Sequence, residues 1–345
     1  MTDPIFKNQA SVAGPTSMFA FQLSSSKWIY VIGEDHEAGD TSFDNIIRVE
    51  DALVAYLKSN PLYIAVEATD KMFIEYATWV DTGIVPATPI RALCHRIYNA
   101  SSTVLHNLTL SNAEIRQGSG YYLLSLLSDP IEFTTSFLTI SNTTEFLQRR
   151  GIIKMFEKHL LKAMDSRVSS KRLLKSLIFP ETDIPNWYKQ AIEGLSITPN
   201  LLKNDLATIK QKDPKYYNAV EEHVNMAWDY AFSTGSFHSR AIQSIARHRR
   251  SASNQLAIHH LSASRADHVQ THFERLLAIL FDVKILIEMW NNSDDTKPFV
   301  VLTGDMHAHM LANFVSTHLD VATTAWSHGI DDPDMVPISR GPKTV

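Results

Sequence analysis

One cysteine, Cys94, stands among 345 residues, so an internal disulfide is impossible and a thiolate cage around zinc is excluded. A basic excess is also missing. Lys and Arg total 32 against 37 Asp and Glu, a formal charge of −5, whereas a nucleic-acid partner calls for a basic face. The run Arg247-His248-Arg249-Arg250 is too short to supply one and reads as a solvated helix end. No apolar stretch reaches the roughly 18 residues that a membrane-crossing helix needs. The start, Met1-Thr2-Asp3-Pro4, has neither the basic nor the apolar part of a signal peptide. Internal repeats and low-complexity tracts are lacking too. The expectation is a cytoplasmic or intracellular chain with no membrane and no nucleic acid among its partners.

What is present is an ordinary globular balance, 44% hydrophobic and 20% charged, which speaks against disordered and fibrous classes. Met18–Leu23 and Trp28–Ile32 are two β-rich runs joined by Ser24-Ser25-Ser26-Lys27, the pattern of a hairpin. The second run is apolar throughout, as a strand buried on both faces must be. Phe43–Lys58 has helical spacing and stops at Asn60-Pro61, because the residue before proline avoids the helical region. Leu62–Val66 reads as the next strand, which makes a βαβ unit and parallel strands. Pro89–Leu93 reads as a further short strand.

From about 95 to 295 the pattern is helical, as in Gly151–Arg167 and Tyr217–Phe232, with an interruption at Phe179–Pro185. Asp267–Trp290 is a long apolar-striped helix. It leads into a buried strand at Phe299–Leu302, a helix from Ala308 to Leu319, and a last strand near Val321–Trp326. The expected architecture is a single α/β domain over 1–345, with a mixed, mostly parallel central sheet and flanking helices. Its core would come from about 17–95 and 265–326, and a large helical insertion from about 96–264.

Polar residues cluster where the strands end. Glu34 and His36 follow one strand in Gly33-Glu34-Asp35-His36, and Glu67 follows another. Gly304-Asp305-Met306-His307 follows the last buried strand. Open parallel sheets bind ligands beyond the carboxyl ends of their strands. A glycine there lets the chain turn without crowding the site. Imidazoles and carboxylates in this set suit two kinds of chemistry. His36, Glu67 and His307 could ligate a divalent metal such as Mn, Co, Zn or Fe, leaving a position for activated water. Without a metal, Glu67 could polarise a histidine that deprotonates water. A lone Gly-x-x-His turn is common by chance; two copies after apolar strands, beside a third polar strand end, carry more weight. Arg265, ahead of the last long helix, could hold an anionic substrate group or an oxyanion, and Asp267 beside it suits a helix start. Arg91, His95, Cys94 and His309 are weaker candidates. His309, two residues beyond His307 on a helix, points elsewhere, and a lone Cys is more often buried than reactive.

Ile32-Gly33-Glu34-Asp35-His36, Val66-Glu67 and Leu302-Thr303-Gly304-Asp305-Met306-His307 resemble the erythromycin esterase, ChaN, TraB and Tiki superfamily. That resemblance implies an α/β core with Glu34, His36, Glu67 and His307 lining one cleft, and Arg265 is similar in placement to an arginine of some relatives. It also implies a hydrolase of an ester or amide bond in a small-molecule or peptide substrate. Members differ in chemistry: some are metal-dependent peptidases, some open lactones without a metal, and some bind haem. A non-catalytic haem-type binding or structural protein on the same fold is therefore the alternative. Gly304-Asp305-Met306-His307 also resembles a metallophosphoesterase metal turn, but the Gly-Asn-His-Asp and Gly-His-x-His elements of that class are not evident.

Overall fold

The computed structural model describes residues 4–6, 12–13, 16–24, 27–34, 47–68, 89–115, 143–195, 202–233, 263–293, 296–319, 321 and 323–327. The chain forms two compact units, one from Met1–Glu114 with Glu288–Val345 and the other from Ile115–Ile287. Among the described residues no helix is long and apolar enough to cross a membrane.

The first unit is an α/β fold. Eight strands are described: β1 (Val12–Ala13), β2 (Ser17–Gln22), β3 (Trp28–Glu34), β4 (Ile47–Arg48), β5 (Leu62–Val66), β6 (Leu108–Asn112), β7 (Phe299–Gly304) and β8 (Thr323–Ser327). Six of them form one sheet in the order β6-β5-β7-β3-β2-β8. Pairing is parallel from β6 through β5 and β7 to β3, and antiparallel on both sides of β2. Only β2 therefore opposes the common direction. The hairpin read from the sequence is the β2–β3 pair, with Met18 opposite Ile32. β3 and β7, the two runs without polar alternation, are buried along their whole length at the centre of the sheet, which is why neither face could carry polar residues.

β7 comes late in the sequence yet lies between β3 and β5, which the βαβ unit alone would have made neighbours. Its insertion brings three strand ends level. Glu34 pairs in register with Gly304, and the Glu67 N–H donates to the Leu302 carbonyl at 2.9 Å.

Helices cover both faces. Tyr30, Ile32, Ile64, Val66, Val300 and Leu302 share an apolar cluster with residues of α1 (Val49–Leu57), α2 (Pro89–Tyr98) and α3 (Ser102–Asn107). α10 (Asp305–His318) packs on the opposite face, where Phe19 meets His309 with ring centroids 5.1 Å apart.

Three expectations change in this unit. Pro89–Leu93 is not a strand but the start of α2. Proline suits a first helical position, and the buried residues Ile90, Leu93, Cys94 and Ile97 recur at helical spacing. β6 lies in the stretch read as helical. Leu108 and Leu110 pack on the core while Thr109 faces solvent, a strand alternation too short to register against helical neighbours. The helix expected over Phe43–Lys58 begins only at Val49, because Arg48 is extended and Ile47–Arg48 pairs with Val12–Ala13; residues 43–46 lie outside the described ones.

The described part of the second unit is helical: α4 (Thr143–Ala163), α5 (Arg167–Ile178), α6 (Asn186–Gly194), α7 (Leu202–Lys212), α8 (Pro214–Ala231) and α9 (Ala263–Asn291), whose last turn belongs to the first unit. The continuous helix expected over Gly151–Arg167 breaks before Ser166, whose hydroxyl caps α5 by accepting from the Ser169 N–H at 3.2 Å. Asp213 caps α8 in the same way, accepting from Tyr216 N–H at 2.9 Å, with proline at the first helical position. The Phe179–Pro185 interruption separates α5 from α6.

Candidate functional site

Gly33 sets the spacing between β3 and the start of α10. A Cβ there would lie 2.5 Å from Ser17 Oγ, 2.8 Å from Ala308 Cβ and 2.8 Å from the Asp305 Cα. Backbone stands in the way, so only glycine lets Asp305 and the first turn of α10 settle against this strand end.

Glu67, in turn, is fixed by β7. Its Oε2 accepts from Thr303 Oγ1 at 2.6 Å and from the Gly304 N–H at 2.7 Å. Its Oε1 lies 3.9 Å from His307 Nε2. Both side chains are largely enclosed, each residue being 9% exposed. The separation exceeds a hydrogen bond, and it leaves a carboxylate beside the imidazole in a shielded setting. Two donors on one oxygen fix the carboxylate, and the other oxygen is directed toward the histidine.

Glu34 is turned elsewhere. Side chains alternate along β3, so Glu34 shares the Tyr30 and Ile32 face. There its Oε2 accepts from the Ile90 N–H at 2.7 Å, in the first turn of α2, where a carboxylate complements the helix dipole. Burial and the Glu34 charge, in that order, push the Cys94 thiol up to about 12. Cys94 is thus a packed thiol and not a nucleophile, since thiolate is the reactive form.

Asp305 belongs to another set. It accepts a hydrogen bond from the Ser17 hydroxyl and lies 3.6 Å from His309 Nε2. Burial lowers the His309 pKa while Asp305 opposes that shift. His309 therefore faces β2 and not the Glu67–His307 pair, as helical spacing foretold.

The site residues proposed from the sequence thus divide. Glu67 and His307 come together, and Glu34 stands on the adjacent strand end with its carboxylate on α2. His36 lies outside the described residues. Arg265 sits in the first turn of α9, in the second unit, and its side chain and that of Asp267 are outside the described set. Arg91 and His95 lie on α2, and the His95 ring contacts Asn99, just past the end of that helix, at 3.1 Å. Thr303 and Ser17 were not singled out from the sequence. Thr303 could have been, because it precedes Gly304 on a strand whose other residues are all apolar up to that point.

Among the described residues no three His, Cys, Asp or Glu side chains are grouped to hold a metal ion. No family model, curated protein or solved structure matches this chain.

Proposed function

We propose that this chain is a hydrolase that directs water at an ester or amide bond of a small-molecule or peptide substrate, with His307 as general base and Glu67 as its orienting carboxylate. The observation that carries the reading is the Glu67 carboxylate, tied through one oxygen to Thr303 and Gly304 and directed through the other at His307. When His307 takes a proton from water, the imidazolium gains a negative neighbour in a shielded setting, and its formation is favoured.

The remaining roles rest on the motifs. His36 would act beside His307, as base or as acid to the leaving group. Glu34 would stabilise charge at the neighbouring strand end. An imidazole and a carboxylate are donor types that Mn, Co, Zn and Fe accept. His36, Glu67 and His307 would hold such a metal, which would supply acidified water. Glu67 then keeps its orienting part, because two donors already occupy one of its oxygens.

The test is turnover of chromogenic esters and peptide amides by the purified protein, with and without added divalent metal, beside Glu67→Gln and His307→Asn. Both variants should fold as wild type does and lose about 100-fold or more in kcat, the usual scale of a positioned general base. Turnover unchanged in either variant, or none in wild type under every metal condition, would overturn the proposal.

A further inference from the structure

The second Gly-x-x-His turn is held from two sides. Gly304 caps α10 without a side chain to offer the helix. The first N–H groups of a helix have no partner within it, so they do not fix where its opening turn sits. That turn carries His307. On one side the Gly304 N–H donates to Glu67 Oε2 at 2.7 Å. On the other the Asp305 carboxylate accepts from the Ser17 hydroxyl.

The second hold spans a strand. β7 neighbours β3, and β3 neighbours β2, so Asp305, directly after β7, reaches Ser17 on β2 by passing over β3. The residue beneath it is Gly33, which pairs in register with Ser17. A Cβ on Gly33 would lie 2.8 Å from the Asp305 Cα and 2.5 Å from Ser17 Oγ, so a side chain there would meet both partners. The glycine of the first turn is what leaves the aspartate of the second its route. Ser17 is a firm anchor: it is buried, on a strand bonded to β3 on one side and to β8 on the other. The second Asp305 oxygen faces His309 Nε2 at 3.6 Å, which commits the carboxylate to the β2 side of α10.

We infer that Asp305, bonded to Ser17 across Gly33, is a positioning residue that holds the Gly304–His307 turn on Glu67. It acts through the backbone, keeping His307 Nε2 at its 3.9 Å separation from Glu67 Oε1. A hydrogen bond and not a charge does the holding, so an amide oxygen at this position serves as a carboxylate does. The consequence for turnover rests on the hydrolase reading; the hold on the turn does not.

The experiment compares Ser17→Ala, Asp305→Ala and Asp305→Asn with wild type at a temperature where all are folded by circular dichroism. One readout is deuterium exchange of the Gly304 amide, with the Val301 amide in the middle of β7 as internal reference. The other is kcat and KM for ester or amide turnover. In the two alanine variants the Gly304 amide should exchange about tenfold faster, the scale of one lost hydrogen bond, with Val301 unaltered. Their kcat should fall by about 10- to 100-fold at nearly constant KM, the effect of misplacing a reacting group by an ångström or less. Asp305→Asn should restore both. If Asp305→Ala does not fold, Ser17→Ala and Asp305→Asn decide. Gly304 exchange as slow in Ser17→Ala as in wild type would overturn the inference, as would an Asp305→Asn that fails on both readouts. So would an unaltered kcat in Ser17→Ala beside an inactive Glu67→Gln. If wild type turns over no substrate, the hydrolase reading falls by itself and the Gly304 amide judges the hold.

Discussion

Acidification should weaken the helical unit through one residue, His272. Its Nδ1 lies 2.7 Å from Ser170 Oγ and 3.1 Å from the Met164 carbonyl. The carbonyl can only accept, so Nδ1 carries the proton and the ring is in that tautomer. The Ser170 hydroxyl is already spent on the Ser166 carbonyl, which leaves its oxygen to accept from the ring. One neutral imidazole thereby ties α9 to the turn between α4 and α5. Burial is the first cause that lowers its pKa from 6.5 to about 4, followed by His268, with Arg275 and Arg167 adding to it and the Met164 bond opposing. A folded pKa below the unfolded one means that the folded state resists protonation. The contribution to stability is therefore complete above about pH 6.5, is lost as pH falls toward 4, and is flat below. A difference of that size corresponds to ~3 kcal/mol across the window, a large share of the marginal stability of a domain. The assay is urea unfolding at a series of pH values for wild type and for His272→Asn, whose side-chain amide can still donate to Met164. Wild type should lose ~3 kcal/mol more than the variant between pH 7 and pH 4. Equal losses, or a His272 ring that titrates near 6.5 by NMR, would refute the reasoning.

Two further perturbations probe the strand ends. Gly33→Ala places a methyl group against Ser17 Oγ, Ala308 and the Asp305 backbone, and should destabilise the protein by about 1–3 kcal/mol, the usual cost of overpacking; a thermal melt matching wild type would contradict it. Cys94, buried and with its thiol pushed up to about 12, should not react with a thiol reagent at mildly alkaline pH until denaturant is added. Stoichiometric labelling of the native protein would show that the α2 face is open.

Much of the sheet was legible because its central strands obey one strong constraint. A strand covered on both faces must be apolar throughout, and Trp28–Ile32 and Phe299–Leu302 stand out for that reason. Their glycines mark where the runs end, and at Gly33 the reason is steric. Edge and boundary elements were harder. β6 is five residues long at the rim of the sheet, and α2 announces itself only through spacing that Pro89 begins rather than interrupts. The order of the strands was not legible at all, since nothing local to Phe299–Gly304 tells that it inserts between β3 and β5.

That insertion decides which site residues can cooperate. From the sequence, Glu34 and Glu67 look equivalent, each a carboxylate at the end of a strand and each within reach of a histidine. The pleat separates them. Glu34 follows the parity of Tyr30 and Ile32, which carries it toward α2 and the Ile90 N–H. Glu67 lies one residue past β5, its N–H still bonded to the Leu302 carbonyl, and on the opposite parity to Val66 it reaches sideways to Thr303 and Gly304 on the inserted strand. The partner of His307 is thus chosen by β7 lying next to β5, and not by proximity in the sequence. Any strand order that parted β5 from β7 would leave Glu67 without its two donors, and His307 without an oriented carboxylate.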